Sequence, residues 1–110
     1  MNQVVIKSKV VGVDIGIDKT AFAIVDVRGN ILAENDFPTT DYPDVSQFVQ
    51  RLTESILMLV EANGGYGQVR SVVISSPSAN NLTGCIENAA NLPWKGIVPL
   101  ANMLRDRLGL

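Results

Sequence analysis

Residues 10–32, VVGVDIGIDKTAFAIVDVRGNIL, carry the clearest pattern of secondary structure in this chain. Three apolar runs rich in valine and isoleucine follow one another, separated by short segments that contain Gly, Asp and Asn. Such runs predict successive β-hairpins. The second run alternates, since Phe22 and Ile24 face one side of a strand and Ala21 and Ala23 the other. We therefore expect an antiparallel meander with strands at residues 10–16, 20–27 and 30–37.

The first turn has features of an anion site. Asp14 lies at the end of the first strand, and Gly16 and Lys19 lie in the turn that follows. Backbone N–H groups gathered in a tight turn attract phosphate, and a nearby carboxylate orients a divalent cation or its waters. The same residues also suit a plain hairpin, because Asp and Gly are ordinary turn formers. Both interpretations remain open on this stretch.

The composition predicts one globular domain. The chain has 110 residues, of which 46% are hydrophobic and 18% charged, with a net charge of −2. Its few basic residues are scattered, so its field does not attract nucleic acid. The longest apolar run, residues 56–60, is too short to cross a bilayer, and the N-terminus lacks the apolar core of a signal peptide. We expect a cytoplasmic protein without membrane contact.

Missing residue types narrow the chemistry. The chain contains no histidine, which excludes a Ser-His-Asp triad, an imidazole base and a His-bearing zinc site within it. The single cysteine, Cys85, excludes an internal disulfide and a thiolate metal cluster. Catalysis by these residues would rest on carboxylates, Lys19, hydroxyls or backbone amides.

The downstream residues predict a helix, a strand and a second helix. Apolar residues recur at helical spacing between residues 45 and 60, and we expect Pro43 in the first turn, with Thr40 or Asp41 as the cap. A helix of this length between strands suits a crossover, so residues 68–75 should run parallel to the first strand. A polar loop at residues 75–81 and a helix opened by Pro99 should follow.

Three blocks of the sequence resemble a known family. Residues 12–26, GVDIGIDKTAFAIVD, resemble the phosphate-binding hairpin of the actin/sugar-kinase ATPase superfamily. SSPSANNLTGCIENAANLPW at residues 75–94 and IVPLANMLRDRLGL at residues 97–110 are similar to the ROK family of repressors, open reading frames and sugar kinases. The resemblance implies an α/β, ribonuclease H-like (actin-like ATPase) subdomain. Its mixed sheet would combine the antiparallel meander, a crossover helix, a parallel strand and a C-terminal helix.

The resemblance also implies a site. Sugar kinases of this type transfer the terminal phosphate of ATP to a sugar hydroxyl, with Mg²⁺ as the companion cation. Asp14 matches the residue that helps to place the metal. The residues that match cofactor contacts are Asp14, Gly16, Asp18, Lys19 and Thr20, and those that match the border of the sugar pocket are Ser78, Asn80 and Asn91.

The turn departs from the family pattern at two positions. Ile17 and Asp18 stand where the family has glycine and threonine. A β-branched residue is costly wherever φ is positive, and Asp18 brings a negative charge towards the phosphates. We therefore predict that Mg-ATP binds weakly or not at all. Ser78 also stands where the family usually has glycine.

The family fold continues beyond residue 110, into a strand with the catalytic aspartate and a second lobe. The resemblance implies that residues 1–110 are a single N-terminal subdomain, truncated before that base, of a glucokinase-like protein. The alternative is a non-catalytic sugar-sensing domain of a ROK-type regulator with a decayed phosphate turn, which would contact DNA only through a separate winged helix. We expect Leu92 and Trp94 to be partly uncovered, which favours a homo-oligomer.

Overall fold

The structure is a computed structural model that describes residues 8–76, 79–80, 84–87, 92, 94 and 97–108. The elements in chain order are β1 (Lys9–Ile15), β2 (Lys19–Val25), β3 (Ile31–Pro38), α1 (Val45–Glu61), β4 (Val69–Ser75), β5 (Ala79–Asn80), β6 (Cys85–Glu87), β7 (Ile97–Val98) and α2 (Leu100–Leu108). One sheet has the order β3-β2-β1-β4, and a small second sheet has the order β5-β6-β7. The mixed α/β fold expected from the sequence is confirmed.

The larger sheet has one buried face and one open face. Val11 pairs with Ile24 and Val13 with Phe22 across the antiparallel β1–β2 ladder, and all four side chains are buried on the inner face. Alternation places Gly12 on the outer face. The inner face packs against α1 in one apolar core. The buried residues of α1 form a stripe along the helix: Phe48, Val49, Leu52, Thr53, Ile56 and Val60.

The start of α1 differs from the expectation. Asp44 is the N-cap, and its carboxylate accepts hydrogen bonds from the backbone N–H groups of Ser46 at 2.8 Å and Gln47 at 3.4 Å. The expected caps, Thr40 and Asp41, were wrong because residues 39–41 form a 3₁₀ turn of their own. Proline therefore precedes the cap instead of opening the first turn.

The end of α1 and the strand after it agree with the expectation. Gly64 and Gly65 have φ values of 104° and 86°, a conformation that glycine adopts at little cost and that ends the helix. The chain then returns in β4, which pairs with β1 in parallel, with Val11 opposite Val72 and Val13 opposite Ile74. The crossover interpretation is confirmed.

The last part of the chain shows two differences. Residues 79–80, expected within a polar loop, form β5, the first strand of the small sheet. Leu92 and Trp94 are 2% and 4% exposed, so the expectation that they are partly uncovered was wrong. Trp94 packs against the Phe48 ring at 4.3 Å between centroids and donates its indole N–H to the carbonyl of Tyr42 at 3.0 Å.

The second helix follows the sequence pattern closely. Pro99 directly precedes α2 and its carbonyl accepts a hydrogen bond from Met103 N at 3.1 Å. The buried residues of α2 are Leu100, Leu104 and Leu108, whereas Arg105 and Arg107 are exposed. No helix in the described part of the chain has the length and apolar character needed to span a membrane.

Candidate functional site

The turn between β1 and β2 is held by a close backbone contact. Ile15 and Thr20 are the last paired residues, so residues 17–18 form the tip. Gly16 N–H donates to the Lys19 carbonyl at 2.9 Å. A Cβ atom at Gly16 would lie 2.7 Å from that carbonyl oxygen, too close for any real side chain. The φ of Gly16 is not in the left-handed region, so this glycine is required by proximity and not by its own backbone conformation.

Two parallel strands end beside this turn. Asp14, near the end of β1, is opposite Ser75 at the end of β4 and opposite Ala21 on β2. The Asp14 side chain is exposed and lies on the outer face. The chain leaving β4 therefore starts at the same sheet edge as the β1–β2 turn. Ligand sites of α/β sheets commonly lie outside the carboxyl ends of parallel strands.

The outer face carries an open cavity, which we call the outer-face trough. Its volume is about 610 Å³. Its floor contains the small residues of the central strands, and charged or hydroxyl side chains line it as well. The lining residues on this face are Gly12, Asp14, Lys19, Ala21, Ala23, Glu34, Asp36, Val73 and Ser75. The trough joins the turn to a surface large enough for a nucleotide or a sugar.

The charges at the trough are mostly negative. Lys19 Nζ lies 3.9 Å from Asp36 Oδ2, and both side chains are more than half exposed. An ion pair this exposed contributes little to stability, so Lys19 can exchange Asp36 for another anion. Asp18 and Ile17 are exposed at the tip of the turn, where Ile17 is 47% exposed. An incoming phosphate would therefore meet one lysine and several carboxylates.

The remaining site residues expected from the sequence divide into two groups. Thr20 is fully buried on the inner face, so only its backbone is available to a ligand at the turn. Asn80 belongs to β5, where its backbone pairs with Cys85. Ser78 and Asn91 lie outside the described residues. The structure thus brings Asp14, Gly16, Asp18 and Lys19 together around one turn.

Sequence reasoning missed Thr39. This residue begins the 3₁₀ turn after β3, and its N–H donates to the Asp18 carbonyl at 3.0 Å. Its hydroxyl oxygen lies 2.7 Å from that of Thr20, and both residues are 0% exposed. The available signal was Pro38, which marks the end of an edge strand and places Thr39 directly after it.

A magnesium site in this region would depend on few protein ligands. The described residues contain no group of three or more Cys, Asp or Glu side chains that could hold a metal ion. Mg²⁺ bound together with a nucleotide ordinarily uses one or two carboxylates, with phosphates and waters as its other ligands. The exposed carboxylate of Asp14 beside the turn fits that requirement.

Comparison with known proteins gives one family. The sequence model of the ROK family matches residues 10–110. A search of curated proteins found no match. A ROK family glucokinase from Streptomyces griseus, solved in complex with glucose and AMPPNP, superimposes with a TM-score of 0.78 at 27% identity, over 93% of this chain and 31% of that one.

Two further structures share the fold. A putative sugar kinase from Cytophaga hutchinsonii has a TM-score of 0.70 at 23% identity, over 90% of this chain and 32% of that one. A ROK family transcriptional regulator, a homologue of the E. coli MLC protein, has a TM-score of 0.75 at 15% identity, over 96% of this chain and 27% of that one. The chain thus spans about a third or less of the length of these proteins.

Proposed function

The chain belongs to the ROK family, and we propose that it is the N-terminal nucleotide- and sugar-binding subdomain of an ATP-dependent, glucokinase-like sugar kinase. The observation that carries this proposal is the position of Asp14 and Lys19 on either side of the Gly16 turn, at the mouth of the outer-face trough. The likeness to a glucokinase that binds glucose and AMPPNP supports the same assignment.

In the proposed site, each residue at the turn has a separate task. The Gly16 amide is engaged by the Lys19 carbonyl, so the backbone amides of the tip, residues 17–18, would meet the phosphates. Asp14 would orient Mg²⁺ or its waters, and Lys19 would supply a positive charge to the phosphate oxygens. When bound, ATP would supply the phosphoryl group, and its Mg²⁺ would neutralise part of the negative charge on the phosphates. The catalytic base and the second lobe would come from residues outside this chain.

A second function is favoured by the composition of the tip. Ile17 is apolar and exposed, and Asp18 adds a carboxylate where phosphates would approach. Both features suit a subdomain that has stopped using ATP, such as the sugar-sensing part of a ROK-type regulator. The regulator in the comparison has the same fold, although its 15% identity carries no functional argument.

Charge removal at the tip distinguishes the two functions. The wild-type chain should show no micromolar binding of Mg-ATP by calorimetry, because Asp18 repels the phosphates. One unit charge near another at a protein surface contributes up to about 4 kcal/mol at roughly 4 Å, and less with distance and salt. Asp18→Asn combined with Ile17→Gly should therefore tighten binding by about tenfold, measured by NMR titration with Mg-ATP.

The matched control is Asp106→Asn, which removes the same charge from the exposed face of α2. It should leave the affinity for Mg-ATP unchanged. If the Asp18 and Ile17 substitutions give no gain, or if only glucose shifts the resonances of the turn, the sugar-sensing function replaces the kinase. Micromolar binding by the wild-type chain would show that the altered turn is not a weak phosphate site.

A further inference from the structure

Two threonines connect the β1–β2 turn to the segment after β3. Thr20 and Thr39 are both 0% exposed, and their hydroxyl oxygens are 2.7 Å apart, so either hydroxyl can donate to the other. Beside this pair, Thr39 N–H donates to the carbonyl of Asp18 at 3.0 Å. One residue outside the hairpin thus contacts both the tip of the turn and the strand that leaves it.

The β2–β3 ladder ends in this connection. Lys19 pairs with Pro38 at the end of the β2–β3 ladder. This pair is a non-hydrogen-bonded position of the ladder, because the Lys19 carbonyl accepts from Gly16 N–H on the β1 side, so a residue without an N–H is tolerated at position 38. The next hydrogen-bonded position places Thr39 opposite Asp18, so the Thr39 N–H continues the ladder into the tip of the turn. The shape of the turn therefore depends on Thr39 as well as on β1 and β2.

The buried hydroxyl pair is not explained by packing. Valine has nearly the same shape as threonine and fills a buried site without a polar group to satisfy. A buried hydroxyl that lacks a partner is costly, whereas an exchange of both partners for apolar groups of the same shape is nearly neutral. Two threonines that depend on each other thus add a directional contact to a site that two valines would fill equally well.

The direction of this contact matters for an anion. In a trans peptide the carbonyl and the following N–H point in opposite directions. Because the Asp18 carbonyl points to Thr39, the Lys19 N–H is turned away from the segment after β3, towards β1. The connection thus sets the orientation of the backbone dipoles at the tip.

We propose that Thr20 and Thr39 are positioning residues that hold the backbone of the β1–β2 turn in its phosphate-binding shape. The link to phosphate rests on the proposed function, whereas the link to the turn rests on the contacts alone. Neither hydroxyl would contact the ligand, since both are buried on the inner face. Their effect would pass through the Asp18 carbonyl and the tip amides.

The test is amide hydrogen exchange of the 110-residue chain, measured by NMR residue by residue. Thr20→Val and Thr39→Val each leave one hydroxyl without its partner. Each should speed exchange at the hydrogen-bonded amides of the turn, Gly16 and Thr39, by about tenfold relative to the other β1 and β2 amides, as expected for the loss of one hydrogen bond. Thr39→Ser keeps the hydroxyl and should retain the wild-type rates.

The control is Thr53→Val. Thr53 is also a buried threonine, at 6% exposure, and its hydroxyl donates to the Val49 carbonyl at 2.7 Å within α1. This variant should change the global stability without changing the relative exchange rates at the turn. The double variant Thr20→Val/Thr39→Val should recover global stability over the single variants but keep the fast-exchanging turn. Wild-type exchange rates at the turn in the double variant would overturn the positioning role.

A titration with Mg-ATP separates this inference from the proposed function. With Asp18→Asn and Ile17→Gly present in every variant to strengthen binding, Thr20→Val/Thr39→Val should weaken the affinity of the turn for Mg-ATP about tenfold, while Thr53→Val should leave it unchanged. If the chain with Asp18→Asn and Ile17→Gly does not respond to Mg-ATP but the single threonine variants exchange faster, the positioning role stands and the kinase function fails. If affinity is unchanged in the double variant, the phosphate role of the pair is overturned.

Discussion

At the scale of single residues, Gly16 and Gly12 show that two glycines four positions apart can have unrelated roles. A Cβ atom at Gly16 would lie 2.7 Å from a backbone oxygen that cannot move without opening the turn, whereas a Cβ atom at Gly12 would meet no atom within 4 Å. Glycine is therefore a steric requirement at the turn. Gly12 lies on the trough floor, where the missing side chain only leaves more open space above the sheet.

Gly16→Ala should destabilise the chain by about 1–3 kcal/mol, the usual cost of overpacking against atoms that cannot retreat. Gly12→Ala is the matched control and should be neutral or stabilising by up to about 1 kcal/mol, because alanine reduces the freedom of the unfolded chain. Urea unfolding of both variants measures the two effects. Equal losses of stability would contradict the close contact at the turn.

At the scale of elements, one carboxylate reinforces the β2–β3 hairpin, whose loop is also closed by the backbone hydrogen bonds Asp26 N–H to the Asn30 carbonyl and Gly29 N–H to the Asp26 carbonyl. Asp26 Oδ1 accepts the backbone N–H groups of Arg28 at 2.9 Å and Asn30 at 3.0 Å, and its Oδ2 accepts the Asn30 side-chain amide at 3.2 Å. Gly29 completes the loop with a φ of 84°. The N–H groups of Asn30 and Arg28 and the Asn30 side chain hold the pKa of Asp26 below its ordinary value.

This lowered pKa gives a pH dependence with a definite sign. The ionised carboxylate is favoured in the folded chain, so its contribution to stability is present above about pH 4 and is lost as pH falls through the folded pKa. Asp26→Asn keeps the shape without the charge. Its stability deficit, measured by urea unfolding from pH 7 to pH 2, should shrink as the solution becomes acidic. A deficit that stays constant over this range would exclude the charge as its cause.

At the scale of the whole molecule, the larger sheet is covered on one side only within the described residues. The inner face packs against α1, and the outer face carries the trough of about 610 Å³ with Asp14 and Lys19 at the turn. Phosphoryl transfer depends on charge stabilisation around the phosphate and on a positioned base for the sugar hydroxyl. Because the trough is open to solvent, water would reach a phosphate bound there freely.

The 110-residue chain should therefore form no glucose phosphate from glucose and Mg-ATP, even at high protein concentration. A coupled assay for ADP, with a glucokinase as the positive control, measures this directly. Turnover by the pure chain would overturn the assignment of the base to residues outside it. The intact mass of the native gene product is the companion measurement, because a mass several-fold above 11.8 kDa would show that a second lobe exists.

The meander, the crossover and both helices can be predicted from the amino-acid pattern alone. Each follows from a local pattern: alternation in β2, the apolar stripe of α1, the glycines after it and the leucines of α2. Burial of apolar side chains stabilises these elements. The spacing of apolar residues that it requires is visible within a few helical turns or within one strand. The grouping of Asp14, Gly16, Asp18 and Lys19 was also readable, because one short turn carries all four.

Three features depend on contacts between distant parts of the chain: the burial of Trp94 against Phe48, the small sheet of two- and three-residue strands, and the Thr20–Thr39 pair. The side-chain contacts join residues that are separated by between 19 and 52 positions in the sequence. The strands of the small sheet are too short to show alternation of apolar and polar residues. A hydroxyl or an indole can hydrogen-bond to many kinds of group, so the neighbouring sequence does not predict which partner it has in the folded chain. That choice is made by packing, which brings distant groups into reach and requires every buried polar group to be satisfied.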